Sequence, residues 1–124
     1  IVYTDYFLSK VIGMLKSKAS TIQGGMLYVS DHGESLGENN LYLHGLPYAI
    51  APDVQKHIPW ISWFANDFIG RHNLDTDCME SRSGKQLNHD NYFHTVLGLM
   101  DIQTAVYNAD LDAYATCRVK QIVK

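Results

Sequence analysis

The sequence predicts an α/β fold, and three observations carry that reading. Apolar residues recur with helical spacing over residues 4–16 and again from Asp90 to Met100. Met26-Leu27-Tyr28-Val29 is an unbroken apolar run of strand length that stops abruptly at Ser30-Asp31-His32-Gly33. A second such run, Ile58 to Phe64, follows a long stretch rich in glycine and asparagine. Strand, long loop, strand and helix in that order is α/β organisation.

In the first helix Phe7, Leu8, Val11, Ile12 and Leu15 form one stripe, and Asp5, Ser9, Lys10 and Lys16 take the opposite side. Thr4 is the expected N-cap. Gly24-Gly25 punctuates the chain before the run at Met26, whose lack of polar alternation suits a strand covered on both faces of a parallel sheet. Residues 33–53 read as a loop, because Gly33, Gly37, Asn39, Asn40, Gly45, Pro47 and Pro52 all discourage regular structure. Loops of that length are usually functional or disordered. Here Leu41, Tyr42, Leu43, Leu46, Tyr48 and Ile50 predict a packed one.

The second strand is expected over Ile58–Phe64, entered from the polar Gln55-Lys56-His57. Residues 65–72 are expected as a short helix and Asn73 to Asn88 as an exposed loop. The last helix places Phe93, Val96, Leu97 and Met100 on one face, with Asn88 or Asp90 as its cap. Tyr107-Asn108 is expected as a turn ahead of a short apolar segment around Leu111 to Ala115.

With 124 residues, 46% apolar and 19% charged, the chain has the length of one domain and enough apolar residues for a core. Ten Lys and Arg against thirteen Asp and Glu give a net charge of −3, which argues against a nucleic-acid binder. The longest strongly apolar stretch, Ile58 to Ala65, contains Pro59 and Ser62 and is far too short to cross a bilayer. The chain opens on Ile-Val-Tyr-Thr-Asp with no signal-peptide pattern, and its first helix has no strand ahead of it. Both features lead us to expect a piece of a longer fold. Cys78 and Cys117 permit one internal pairing and are too far apart for a CxxC or zinc-finger motif. Two buried thiols and one disulfide are both open readings, and the polar flanks of each cysteine tilt the balance towards a staple.

The stretch that carries chemistry is Asp31-His32-Gly33-Glu34 with His44 further on. In open α/β sheets ligands bind beyond the carboxyl ends of the strands. Asp31 and His32 stand at such an end, where a carboxylate beside an imidazole suits zinc. Gly33 is expected to let the chain turn sharply away, and Glu34 and His44 are expected to return to the same mouth. The competing reading of Asp-His-Gly is structural, a turn in which the aspartate accepts backbone N–H groups. His57 reads as a surface residue ahead of a strand, His72 as a helix-end residue, and His89 and His94 as flanking the last helix, with His94 one turn from Asp90.

Taken whole, Ser30-Asp31-His32-Gly33-Glu34-Ser35-Leu36-Gly37-Glu38-Asn39 followed by Tyr42-Leu43-His44-Gly45-Leu46-Pro47 closely resembles the phosphoethanolamine–lipid A transferases of the alkaline phosphatase and sulfatase superfamily. Tyr3-Thr4-Asp5-Tyr6-Phe7, Ala51-Pro52 with Gln55 and Ile58-Pro59, and His89-Asp90-Asn91 with His94-Thr95-Val96-Leu97-Gly98 extend the resemblance over most of the chain. Asn40 stands where many members carry glycine, and Tyr48 where many carry a smaller polar residue.

The resemblance implies that residues 1–124 are the C-terminal portion of a three-layer αβα sandwich, without the membrane domain and the part bearing the nucleophile. It implies transfer of phosphoethanolamine from phosphatidylethanolamine to a lipid A phosphate through a phosphothreonine intermediate, which confers polymyxin resistance. The enzyme would be a zinc-dependent monomer of the bacterial inner membrane, with this domain facing the periplasm. Asp31 and His32 would be two zinc ligands, His44 a catalytic and substrate-binding residue, and Glu34 a substrate-binding one. None of Thr4, Thr21, Thr95 and Thr104 is nominated as nucleophile, and the piece alone is expected to be inactive. An oxidising periplasm implies a Cys78–Cys117 bridge. The Asp-His pair by itself would equally fit a phosphoglycerol transferase or a sulfatase, and a non-catalytic structural piece is the third alternative.

Overall fold

The structure is a computed structural model that describes residues 1–119. Its strands are β1 (Gly25–Val29), β2 (Ser35–Leu36), β3 (Tyr42–Leu43) and β4 (Trp60–Phe64). Its helices are α1 (Val2–Ser17), α2 (Asp53–Lys56), α3 (Asn66–Arg71), α4 (Thr76–Ser81) and α5 (His89–Leu99). The chain divides into two compact units, Met26–Trp63 and Ile1–Gly25 with the chain from Phe64 onward.

In the Met26–Trp63 unit β1 pairs with β4, and β2 pairs with β3 in a separate antiparallel hairpin. Met26 to Val29 are all half-buried, without the alternation of a one-faced strand, as the sequence predicts. β4 starts at Trp60 rather than Ile58, since Pro59 has no N–H to give to a ladder. The expected loop over residues 33–53 contains the β2–β3 hairpin, a 3₁₀ turn at Glu38–Asn40 and the start of α2. Strands of two residues are too short to show a period. The expectation that this segment is packed by its apolar side chains is overturned: Leu41, Tyr42, Leu43, Leu46, Tyr48 and Ile50 are all exposed. What is buried instead is Ser35, Ala51 and Gln55.

In the other unit α1 begins two residues before the expected cap. Ile1 rather than Thr4 occupies that position, and no side chain caps the helix. Leu8 is buried and Val11, Ile12 and Leu15 are half-buried, but Phe7 is exposed. The expected exposed loop over 73–88 contains α4, whose polar sequence has no stripe to announce it. Asp75 nucleates it by accepting the Cys78 N–H at 3.0 Å.

α5 is capped by Asn88 in a reciprocal capping box with Asn91. Its buried face is Thr95, Gly98 and Leu99, while Phe93 and Met100 are exposed, so the expected stripe is rotated. The cause is polar. Asn91 Nδ2 donates to Leu111 O at 2.9 Å, and Thr95 Oγ1 accepts the Ala113 N–H at 2.9 Å. Cys78 and Cys117 are bridged, with Cα atoms 5.5 Å apart, which joins α4 to the 3₁₀ turn Ala115–Cys117. Among the described residues no helix is long and apolar enough to cross a membrane.

Candidate functional site

Residues 30–34 leave β1 under tight backbone control. Ser30 Oγ donates to His32 O at 2.8 Å, and the His32 N–H donates to Asp31 Oδ1 at 3.1 Å. The Gly33 N–H donates to Gln55 O at 3.1 Å. Gly33 is required for a reason other than the expected sharp turn. Its backbone is not left-handed, and a Cβ there would collide with the Val54 carbonyl. Only glycine lets the strand end approach α2 so closely.

The hairpin explains how Glu34 and His44 meet. Its register pairs Ser35 with Leu43 and Leu36 with Tyr42, so Glu34 and His44 are the next residues on either side. The turn is made by Gly37 at φ 123°, Asn39 at 55° and Asn40 at 60°, left-handed conformations that glycine and asparagine tolerate. Asn40 thus serves where glycine would. Glu38 Oε2 accepts the Leu36 N–H at 2.8 Å. Hydrogen bonds from its own backbone and from Leu36 hold the Glu38 carboxyl below the usual glutamate range.

Two imidazoles are oriented by their Nδ1 atoms. His32 Nδ1–H donates to Gly33 O at 2.8 Å, since a carbonyl only accepts, and in the neutral ring this leaves Nε2 as the lone-pair atom. His44 Nδ1–H donates to Glu34 Oε2 at 3.0 Å, which likewise frees its Nε2. The rings lie 3.8 Å apart between centroids. One donor atom each from His32, Glu34 and His44 falls within 4.8 Å of the others. Glu34 Oε1 is buried and has no hydrogen-bond partner among the described residues.

Asp31 stands outside that trio but beside His32, with Oδ2 at 3.7 Å from Nε2. Its own backbone, then the nearby His32 ring and amide, hold its carboxyl below the ordinary value. The donor set fits zinc: two donors 3.7 Å apart can share an ion held about 2 Å from each, and the hydrogen bond at Nδ1 is the kind that orients ligating histidines.

The four residues singled out from the sequence therefore meet at the end of β1, and the other histidines do not join them. His57 ends α2 in an exposed position. His72 ends α3, its Nδ1 2.8 Å from Asp101 Oδ2 but outside hydrogen-bond geometry. His89 opens α5. His94 Nδ1 accepts the Asn108 N–H at 3.1 Å, in place of the expected pairing with Asp90. Gln55 and Ser35 escaped a site reading, because an amide in a polar stretch and a serine in a loop carry no pattern of their own.

Comparison with known proteins gives these residues a setting. The family model described as Sulfatase matches residues 1–102. Phosphoethanolamine transferase EptA of Salmonella typhimurium is 45% identical over 119 residues, 95% of this chain but 22% of the relative. The soluble domain of lipooligosaccharide phosphoethanolamine transferase A from Neisseria meningitidis superposes with a TM-score of 0.88 at 44% identity, covering 95% of this chain and 36% of that one. The C-terminal periplasmic domain of phosphoethanolamine transferase EptC from Campylobacter jejuni gives 0.76 at 43%, covering 90% and 34%. The chain spans about a fifth of the length of the curated relative it matches. The α/β, sulfatase-like fold expected from the sequence is the fold of these domains, and with most of its length matched by the family model the chain belongs to the sulfatase family.

Proposed function

We propose that this chain forms part of a zinc-dependent phosphoethanolamine transferase that carries the group from phosphatidylethanolamine to a lipid A phosphate. The intermediate would be a phosphothreonine whose threonine lies outside these residues. Within the chain, Thr95 is fully buried and occupied by the Ala113 N–H, and Thr21 Oγ1 donates to Lys18 O. Transfer would take place on the periplasmic side of the inner membrane, and the added amine would lower surface charge and confer polymyxin resistance. The observation that carries the reading is the convergence of His32, Glu34 and His44, with Asp31 alongside, at the end of β1.

Asp31 and His32 would hold the zinc. When bound, zinc neutralises charge on phosphoryl oxygens and makes a hydroxyl nucleophile accessible near neutral pH. The remaining work falls to residues of this chain. When the His44 ring is protonated, its Nε2–H, free because Nδ1 is committed to Glu34, is placed to donate to a phosphoryl oxygen or hand its proton to the departing alcohol. The Glu34 Oε1 atom, buried without a hydrogen-bond partner among the described residues, is an acceptor for the ethanolamine ammonium. Sulfate-ester hydrolysis is the rival that the family description raises, and a sulfate ester need carry no cation for Glu34 to receive.

The test uses the full-length protein containing this chain, with phosphatidylethanolamine and lipid A as substrates and mass spectrometry of the product. Gain of one phosphoethanolamine on lipid A is expected, together with zinc in the purified enzyme and its loss in Asp31→Ala and His32→Ala. Hydrolysis of an aryl sulfate without lipid modification would overturn the reading, as would unchanged zinc content in both variants.

A further inference from the structure

We infer that Gln55 is a positioning residue that holds His32, Glu34 and His44 in their shared arrangement. The inference rests on the functional reading above and deepens it by naming what sets the site's geometry.

Gln55 lies in α2 and is 8% exposed. Its carbonyl accepts the Gly33 N–H at 3.1 Å. Its side-chain Nε2 donates to Ser35 Oγ at 2.7 Å and to Leu43 O at 3.2 Å. Gly33 separates His32 from Glu34, Ser35 follows Glu34, and Leu43 precedes His44. One residue therefore holds the chain next to each member of the cluster.

Little else in the hairpin performs this task. Two rungs of antiparallel pairing are marginal alone, and the apolar side chains of Leu36, Tyr42 and Leu43 are exposed. Leu43 sits at φ 67°, a conformation a leucine adopts only when its surroundings impose it. An amide nitrogen has two hydrogens, and this one faces two acceptors. Leucine and glutamate have nearly the same shape and supply neither donor. Gln55 does not reach the reacting groups itself and acts through its neighbours.

The experiment compares Gln55→Leu, Gln55→Glu, His44→Ala and the Gln55→Leu/His44→Ala double variant in the full-length enzyme. We expect both Gln55 variants to lose about 10- to 100-fold in kcat, the scale of a misplacement near 1 Å, with KM within about twofold of wild type. In the His44→Ala background Gln55→Leu should cost less than it does in wild type, because the part of its effect that travels through His44 is already removed. Amide exchange supplies a readout independent of activity: the β2–β3 hairpin should exchange at least about tenfold faster in Gln55→Leu, with α5 unchanged. A full additional loss in the double variant, or unchanged hairpin exchange, overturns the inference. If Gln55→Leu does not fold, Gln55→Glu carries the same comparison. If wild type transfers nothing, the functional reading fails by itself, and amide exchange alone decides whether Gln55 positions the cluster.

Discussion

Gly98 faces the Asp112 carboxylate so closely that no side chain fits between them, and the Arg118 guanidinium closes the same space. Arg118 Nη2 donates to Asp112 Oδ2 at 2.7 Å, Tyr107 Oη donates to the same oxygen at 2.7 Å, and the Tyr114 N–H donates to Oδ1 at 2.9 Å. The Asp112 side chain is wholly buried, so its charge depends on these partners. Burial lowers the proton affinity of Arg118, but its bonds to Asp112 and Tyr107 outweigh that and raise its pKa overall.

Gly98→Ala should therefore destabilise the protein despite alanine's better helix propensity, which is worth about 1 kcal/mol. Overpacking of a tight site costs about 1–3 kcal/mol, and here the added methyl also displaces an ion pair. Asp112→Ala should cost about 3–5 kcal/mol, the usual result of leaving a buried charge unpaired. Urea unfolding of both variants checks the pair. A neutral Gly98→Ala would mean that the ion pair can move aside freely.

The disulfide makes a second prediction. Cys78 and Cys117 lie 39 residues apart in sequence and close a loop that holds α4 and α5. Chain-entropy arithmetic for that span gives about 4 kcal/mol of stabilisation, reduced by any structure left in the unfolded chain. A Cys78→Ser/Cys117→Ser variant should lose stability on that scale without a change in the Asp31–His44 site, which lies in the other unit. The check is denaturant unfolding with and without reductant: reductant should weaken wild type and leave the double variant unchanged.

These two features show where sequence reasoning reached and where it stopped. Strand β1, helix α5 and the cluster at Asp31, His32, Glu34 and His44 were legible, because periodicity and an abrupt polar stop at a strand end are local signals. The pairing of Glu34 with His44 was not, since two-residue strands leave no period and the register depends on Gln55, twelve residues beyond Leu43. The face of α5 was misread for a related reason. Asn91 and Thr95 turn inward to satisfy Leu111 and Ala113 while Gly98 leaves room for Asp112, and no count of apolar positions foresees that polar groups will set the orientation. Exposure of Tyr42, Tyr48 and Ile50 contradicts their hydrophobicity outright.

Acid should loosen the hairpin. Glu38 accepts the Leu36 N–H, and its folded carboxyl titrates below the ordinary glutamate value of 4.5. A depressed folded pKa stabilises the hairpin above that ordinary value, and the contribution is lost as pH falls through the folded one. Exchange of the Leu36 amide should therefore accelerate below about pH 4.5, beyond what the intrinsic rate predicts. Glu38→Gln should remove the pH step while leaving Ser35 and Leu43 paired. A step that persists in Glu38→Gln would assign it to another group.

His44 supplies the sharpest division of roles. Its Nδ1 is held by Glu34 at 3.0 Å and its ring lies against His32, while Asp31 flanks His32 on the strand end itself. With Nδ1 committed to Glu34, His44 should contribute proton transfer rather than primary metal binding. His44→Ala in the full-length protein should keep its zinc and its fold while losing transfer activity by about two to four orders of magnitude, the usual range for a positioned acid–base group. Asp31→Ala should instead lose metal and activity together, because it removes a ligand rather than a proton carrier. Glu34→Gln should be milder in kcat than either: the amide can still accept from His44 Nδ1, so kcat should drop less than in His44→Ala, while the loss of negative charge beside the ethanolamine ammonium should raise KM. Measuring zinc content, kcat and KM on the same preparations separates the three. Near-normal turnover in His44→Ala would reduce His44 to a loop anchor, and loss of zinc from that variant would make it a primary ligand.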